Sequence, residues 1–268
     1  MTSTTAPAAG SLRGYFALEA RRAPLRTSLV AAIAGVLVVL GSHALIVRLP
    51  AQVIRFMEQG FGVEGMAAVL LLNDLLATYF TAYFVALAGI VDATVTAREE
   101  HRLELLLAKP VPARVLLAAR TAPSLLAGAG AGVVVAVATA VAVAPYVEAR
   151  DMISAAGALG SGLFLVALAI AILSALLPLL VRMRDGFLAL LVASGAWIAP
   201  LMPTAAFIYR PDAFEAREGI REAIVLASLL WSDATAAWLG PAALAIAIPL
   251  AAISIAASGV LLERTDAR

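Results

Sequence analysis

The sequence predicts an all-α integral membrane protein with six transmembrane helices and both termini on the cytoplasmic side. Three observations lead there. Hydrophobic residues make up 63% of the 268 and charged residues only 14%, with a mean hydropathy of +0.98, far from the composition of soluble domains. The charges gather in short stretches that separate six apolar runs, each long enough to cross a hydrocarbon core of roughly 30 Å. The basic residues are also uneven. Thirteen fall on the N-terminal side of the membrane and six on the opposite side, which sets the N-terminus inside.

Residues 1–26 form a cytoplasmic segment. After a Thr, Ala, Pro and Gly tail, Leu12, Tyr15 and Phe16 take helical spacing beside Arg13, Arg21, Arg22 and Arg26. Glu19 falls near the apolar side, so an interfacial helix and a plain juxtamembrane linker both fit. The first span, Thr27 to Val47, carries no Asp, Glu, Lys or Arg, and is too long and too late for a signal peptide. Arg48 to Met66 reads as a loop. The second span, Ala67 to Val95, has Asp74 and Asp92 near its ends. The third, Thr121 to Val147, contains Gly128 and Gly132 at the small-xxx-small spacing that lets helices approach closely.

Beyond a tight turn at Glu148 to Asp151, the fourth span runs from Ile153 to Val181, and Pro178 is expected to kink it. Arg182 to Asp185 is so short a connection that the fourth and fifth spans are expected to be antiparallel neighbours. The fifth, Gly186 to Tyr209, is bent in its outer half by Pro200 and Pro203. Residues 210–233 alternate charge and apolar bulk, which predicts an amphipathic helix at about 212–231 in the outer interface, with Trp231 and Trp238 at its end. Ala234 to Leu262 closes a transmembrane domain of 27–262, and 263–268 is a polar cytoplasmic tail.

Little chemistry is legible in these spans. A P-loop needs Gly-Lys-Ser or Gly-Lys-Thr, and the single lysine, Lys109, stands in Ala-Lys-Pro. Any ATP-driven step therefore needs another polypeptide. The absence of cysteine excludes disulfides and thiolate catalysis. His43 and His101 fall on opposite sides of the membrane, so no metal site is expected, and His43 reads as an interface residue. Asp74 and Asp92 are 18 positions apart on one helix, about 27 Å along its axis, too far for an aspartyl dyad. Asp74 reads as an outer-end residue beside Asn73, and Asp92 as a cytoplasmic-end residue near Arg98. No catalytic constellation emerges, so the chain is not expected to be an enzyme, and a net charge of +1 gives no nucleic-acid footprint. Spans of Ala, Val, Leu and Gly without charge at mid-depth suit an amphiphilic or hydrophobic substrate, or a bundle that transmits force. A compositional bias toward alanine explains them equally well.

The most informative stretch is Arg98 to Arg120, a polar island between two spans. Leu103, Leu106 and Leu107 fall on one face of a helix predicted over Ala97 to Ala108. Pro110 and Pro112 end that helix, and a second one starts near Pro112. Five basic residues, Arg98, Arg102, Lys109, Arg114 and Arg120, mark this helix, elbow and helix as one side's docking platform.

The run Glu100, Leu103, Glu104, Leu105, Leu106, Leu107, Ala108, Pro110, Val111, Arg114, Leu116 and Leu117 resembles the first cytoplasmic loop of the type II ABC exporter permeases. It differs at His101 and Arg102, where those proteins often carry Gly-Thr. A plain amphipathic interface helix would share the leucines and charges. The resemblance implies a coupling helix, within a loop of 96–120, seated in a cleft of a separate ATPase subunit. Two such ATPase subunits would bind ATP and magnesium, and a second permease subunit would complete a dimer in the bacterial inner membrane. Carried over residue by residue, Glu100 and Glu104 make polar contacts, Leu103, Leu106 and Leu107 form the apolar anchor, and Pro110 and Val111 complete the loop. The resemblance also makes Leu12 to Arg26 a connecting helix that touches the ATPase through Tyr15, Phe16, Glu19 and Arg22. The rival class is an ATP-independent polytopic protein, either a secondary transporter or a membrane scaffold.

Overall fold

The structure is a computed structural model that describes residues 24–61, 67–107, 111–145, 154–202 and 238–266, with Gly14, Ala17 and Arg21. These residues are helical, with no strand among them. Five helices are long and apolar enough to cross a membrane. In chain order the elements are α1 (Leu25–Ile46), α2 (Ala51–Phe61) and α3 (Ala67–Val91), which continues through a π-helical turn (Asp92–Thr96) and a last α turn (Ala97–Glu99). There follow α4 (Arg102–Leu107), α5 (Ala113–Val143), α6 (Ala155–Leu180), α7 (Gly186–Ile198) and α8 (Leu239–Asp266). The chain is thereby a multi-pass helical membrane protein. The outer helix expected at 212–231, the N-terminal residues Tyr15, Phe16, Glu19 and Arg22, and the outer part of the fifth span lie outside the described residues.

Three expectations need correction. The Arg48 to Met66 loop contains α2, whose Val53, Ile54, Phe56 and Met57 fall on one face opposite Arg55 and Gln59. The helix expected over Ala97 to Ala108 is instead broken after Glu99. His101 takes φ +56°, the only described non-glycine residue at positive φ, and its N–H donates to the Arg98 carbonyl at 2.9 Å. Histidine is among the side chains that tolerate this left-handed conformation. The second helix of that stretch and the third span are one continuous helix, α5, which starts just after Pro112 and runs through Pro123.

α5 is the centre of the bundle, packing on α1, α3, α6 and α8, while α7 rests chiefly on α3 and α6. Lipid supplies no hydrophobic drive between helices, so close approach of small residues has to hold them together. A Cβ on Gly128 would lie 2.5 Å from the Ala82 carbonyl oxygen and 2.8 Å from the Ala86 nitrogen. One turn on, a Cβ on Gly132 would lie 2.7 Å from that of Ala82. The expected small-xxx-small pair is therefore the α3–α5 contact, whereas Gly130 faces open space. Four buried threonine hydroxyls are satisfied locally. Thr78, Thr94, Thr121 and Thr139 each donate to the carbonyl four residues earlier, at 2.7 to 3.2 Å. Single hydroxyls also join helices: Ser28 donates to the Ala127 carbonyl at 2.9 Å, and Ser254 to that of Ser174.

These contacts distinguish two glycines of the same helix. Gly128→Ala forces backbone apart and is expected to cost about 1–3 kcal/mol. Gly130→Ala removes only backbone freedom and is expected to stabilise by about 0.5–1 kcal/mol. Unfolding titrations of the two variants in mixed micelles measure the difference.

Candidate functional site

Three features stand out, one near each end of α3 and one along its middle. At the loop end, the N–H of Glu100 donates to the Thr96 carbonyl at 3.0 Å, the chain turns at His101, and α4 begins. Glu100 is exposed, as is Leu105, at 72%. Leu103, expected to anchor a partner, is only 4% exposed and belongs to the bundle's own core. It fastens the elbow to the helices behind it. Glu104, Leu106 and Leu107 lie within α4, Val111 is half-buried just before α5, and Pro110 lies outside the described residues. Arg102 pairs with Glu100 and, at 3.6 Å, with Asp92, so Asp92 meets Arg102 rather than Arg98. Asp92 and Glu100 are exposed and Arg102 is half-buried, so these pairs orient the elbow and add little stability.

Two carboxylates frame this elbow. Glu99 Oε1 accepts the Gly186 N–H at 2.6 Å, and Glu263 Oε1 accepts the Ala113 N–H at 3.1 Å. Each caps the first turn of a helix, where backbone donors are unpaired and the helix dipole favours negative charge.

Along its middle, α3 presents Asn73, Leu76, Ala77, Phe80, Thr81 and Phe84 on one face. With Thr27, Ala31, Gly35 and Val38 of α1 and Trp197 of α7, they line an apolar cleft of about 600 Å³. Aromatic rings form one wall. Tyr79 stacks on Trp197 with centroids 5.7 Å apart, and Phe80 meets Trp197 edge-on at 5.9 Å. Tyr79 donates to the Trp197 carbonyl at 3.2 Å and Tyr83 to that of Ala193 at 2.7 Å, which fixes α7 against α3. The Trp197 Nε1 is buried with no hydrogen-bond partner among the described residues.

Near the start of α3 lies a buried polar pair. His43 Nε2 and Asp74 Oδ2 are 2.8 Å apart, with Asp74 fully buried and His43 8% exposed. The Asn73 amide donates to Ser42 Oγ at 3.1 Å and to Asp74 Oδ1 at 3.3 Å, and so connects the pair to the cleft that Asn73 lines. His43, expected at the interface, is thus buried against α3, and Asp74, expected as an outer-end residue beside Asn73, is buried and paired with His43. The partner of Asp74 is an imidazole rather than a second acid. The signal was present in the sequence. Two spans joined by a short segment are antiparallel neighbours, and both residues fall within about two turns of that connection. The aromatic wall had a signal too, in the run Tyr79, Phe80, Tyr83, Phe84 at i, i+4 spacing.

Among the described residues no cluster of three or more His, Cys, Asp or Glu could hold a metal. Comparison of the chain with protein-family models, curated proteins and solved structures yields no match. The functional reading therefore rests on this geometry and on the loop sequence.

A buried charge that loses its partner is more costly than a pair replaced whole. His43→Leu is expected to destabilise the protein by about 3–5 kcal/mol. The double variant His43→Leu with Asp74→Leu is expected to recover most of that loss. A double-mutant cycle read by thermal unfolding in detergent checks both values.

Proposed function

We propose that this chain is the permease subunit of an ATP-binding cassette exporter, driven by a separate ATPase that docks on the elbow between α3 and α5. The observation that carries the reading is the elbow itself: a spanning helix that stops at Glu99, an exposed turn, the short helix α4, and a restart at Pro112. The residue at positive φ supports it as well. The permeases that the loop resembles often have glycine where His101 stands, and glycine is the residue a left-handed turn favours.

In this reading the chain has six spans with both termini inside, the fifth running from Gly186 to Tyr209, and the amphipathic helix at about 212–231 lies in the outer interface before α8. It pairs with a second permease subunit and two ATPases in the bacterial inner membrane. ATP and magnesium stay on the ATPases. Glu100, Glu104, Leu106, Leu107, Pro110 and Val111 meet the partner, Leu105 adds exposed apolar surface, and Leu103 holds the elbow to its own bundle. The connecting segment with Tyr15, Phe16, Glu19 and Arg22 flanks the same site. The cleft suits an amphiphilic molecule, since its walls are apolar and aromatic and Asn73, Thr27 and Thr81 add a few polar groups.

One observation favours a second reading, ATP-independent secondary transport. The His43–Asp74 pair is a buried titratable site beside the cleft, the kind of group through which a proton gradient can be coupled. A third reading, a membrane scaffold, has no observation of its own.

Purification of the tagged chain in mild detergent from its native host separates them. A soluble Walker-motif ATPase is expected in the wild-type preparation, and Glu104→Arg with Leu107→Arg is expected to deplete it at least roughly tenfold, the loss for about 1.4 kcal/mol of docking energy. Retention of the ATPase by that variant removes the docking site. Substrate flux in vesicles without ATP, abolished by dissipating the proton gradient, establishes the second reading instead.

A further inference from the structure

The elbow is wired to later helices at both ends. Glu99, the last residue of α3, holds the first N–H of α7, and Glu263 of α8 holds the first N–H of α5. The two links differ in what lies behind them. At Glu263 the contact is broad, since a Cβ on Gly259, one turn earlier, would strike the Arg114 backbone. At Glu99 it is narrow. A Cβ on Gly186 would lie 3.3 Å from Glu99 Oε2, a contact the carboxylate relieves by shifting a few tenths of an ångström.

α7 is a rod held along one side. It packs on α3 and α6 and touches the π turn, and leaves Phe187, Leu190 and Leu191 exposed. Its other end carries Trp197, eleven residues and about 16 Å beyond Gly186, stacked on Tyr79 at the cleft wall. The π turn, Asp92–Thr96, lies immediately before Glu99, and such turns are local irregularities found often at functional sites. We propose that Glu99 is a positioning residue that couples the elbow to α7, so that displacement of the elbow moves Trp197 and reshapes the cleft. The driving force in this proposal rests on the ATPase-docking reading. The link itself is a property of this chain.

The test uses Trp197 as its own reporter. Replacing Trp231 and Trp238 with Phe leaves it the single tryptophan, and its quenching by acrylamide and by brominated lipid is measured in reconstituted membranes. Glu99→Ala removes the acceptor of the Gly186 N–H while Asp185 still caps the Leu188 N–H at 3.0 Å, and is expected to raise the population with the inner end of α7 released roughly fivefold, the weight of one capping carboxylate. Quenching should rise accordingly. Glu99→Gln keeps an oxygen acceptor for the Gly186 N–H and should stay near the parent. Glu263→Ala, which loosens a helix that does not line the cleft, should leave Trp197 unchanged. Quenching that is the same in Glu99→Ala and the parent, or that rises equally in Glu263→Ala, overturns the link.

A second arm adds the co-purified ATPase with ATP and magnesium. The parent should show a nucleotide-dependent change in Trp197 quenching, and Glu99→Ala should keep the ATPase bound and lose that change. A nucleotide-dependent change that persists in Glu99→Ala overturns the proposed transmission. Failure of any ATPase to bind removes the docking reading, and the first arm then decides the link alone.

Discussion

The approach of α3 to α5 at Gly128 and Gly132 is the contact on which the other features depend. With hydrocarbon outside and little polar surface inside, these helices have no aqueous penalty pressing them together. What they gain comes from atoms in contact, and contact is closest where one helix has no side chain. Ala82 and Ala86 fit against those two glycines. That crossing fixes the rotation of α3, and the rotation decides everything else along it. Asp74 is turned inward to His43, Phe80 and Phe84 toward the cleft, and Leu103 is brought back onto the bundle.

The polar groups of α3 divide into two kinds. Near its start Asp74 is buried and paired one to one, in surroundings where an unmatched charge would be very expensive. Near its end Asp92, Glu99 and Glu100 are exposed, and each contact is worth little alone. The first arrangement gives a fixed structure that resists change. The second gives contacts that can be made and broken at low cost, as a loop that receives a moving partner requires. One helix thus carries a rigid anchor and an adjustable end, with an aromatic cleft between them.

The spanning helices were legible because hydropathy is summed over twenty residues and tolerates local error. α1, α6 and α8 fall close to the apolar runs that announce them. The Gly128–Gly132 contact was legible from spacing alone. The His43–Asp74 pair has no pattern within either span, because it exists only between two helices. The caps at Gly186 and Ala113 were beyond any local pattern, for a carboxylate that bonds a backbone N–H 87 or 150 positions away leaves no periodicity. The break at His101 carries neither glycine nor proline to announce it, and the leucine spacing at 103, 106 and 107 begins only beyond it.

The π turn has a consequence for how α3 is read. A turn of that kind holds one residue more than an α turn, and each residue advances a helix by about 100°. Everything after Thr96 is therefore out of phase with everything before Asp92. A helical wheel drawn through the whole of 67–99 would put Glu99 on a face it does not occupy. Heptad arithmetic carried from the cleft into the elbow fails by about that angle. The membrane half and the loop half of α3 are two wheels on one axle, and each can be redesigned without re-indexing the other.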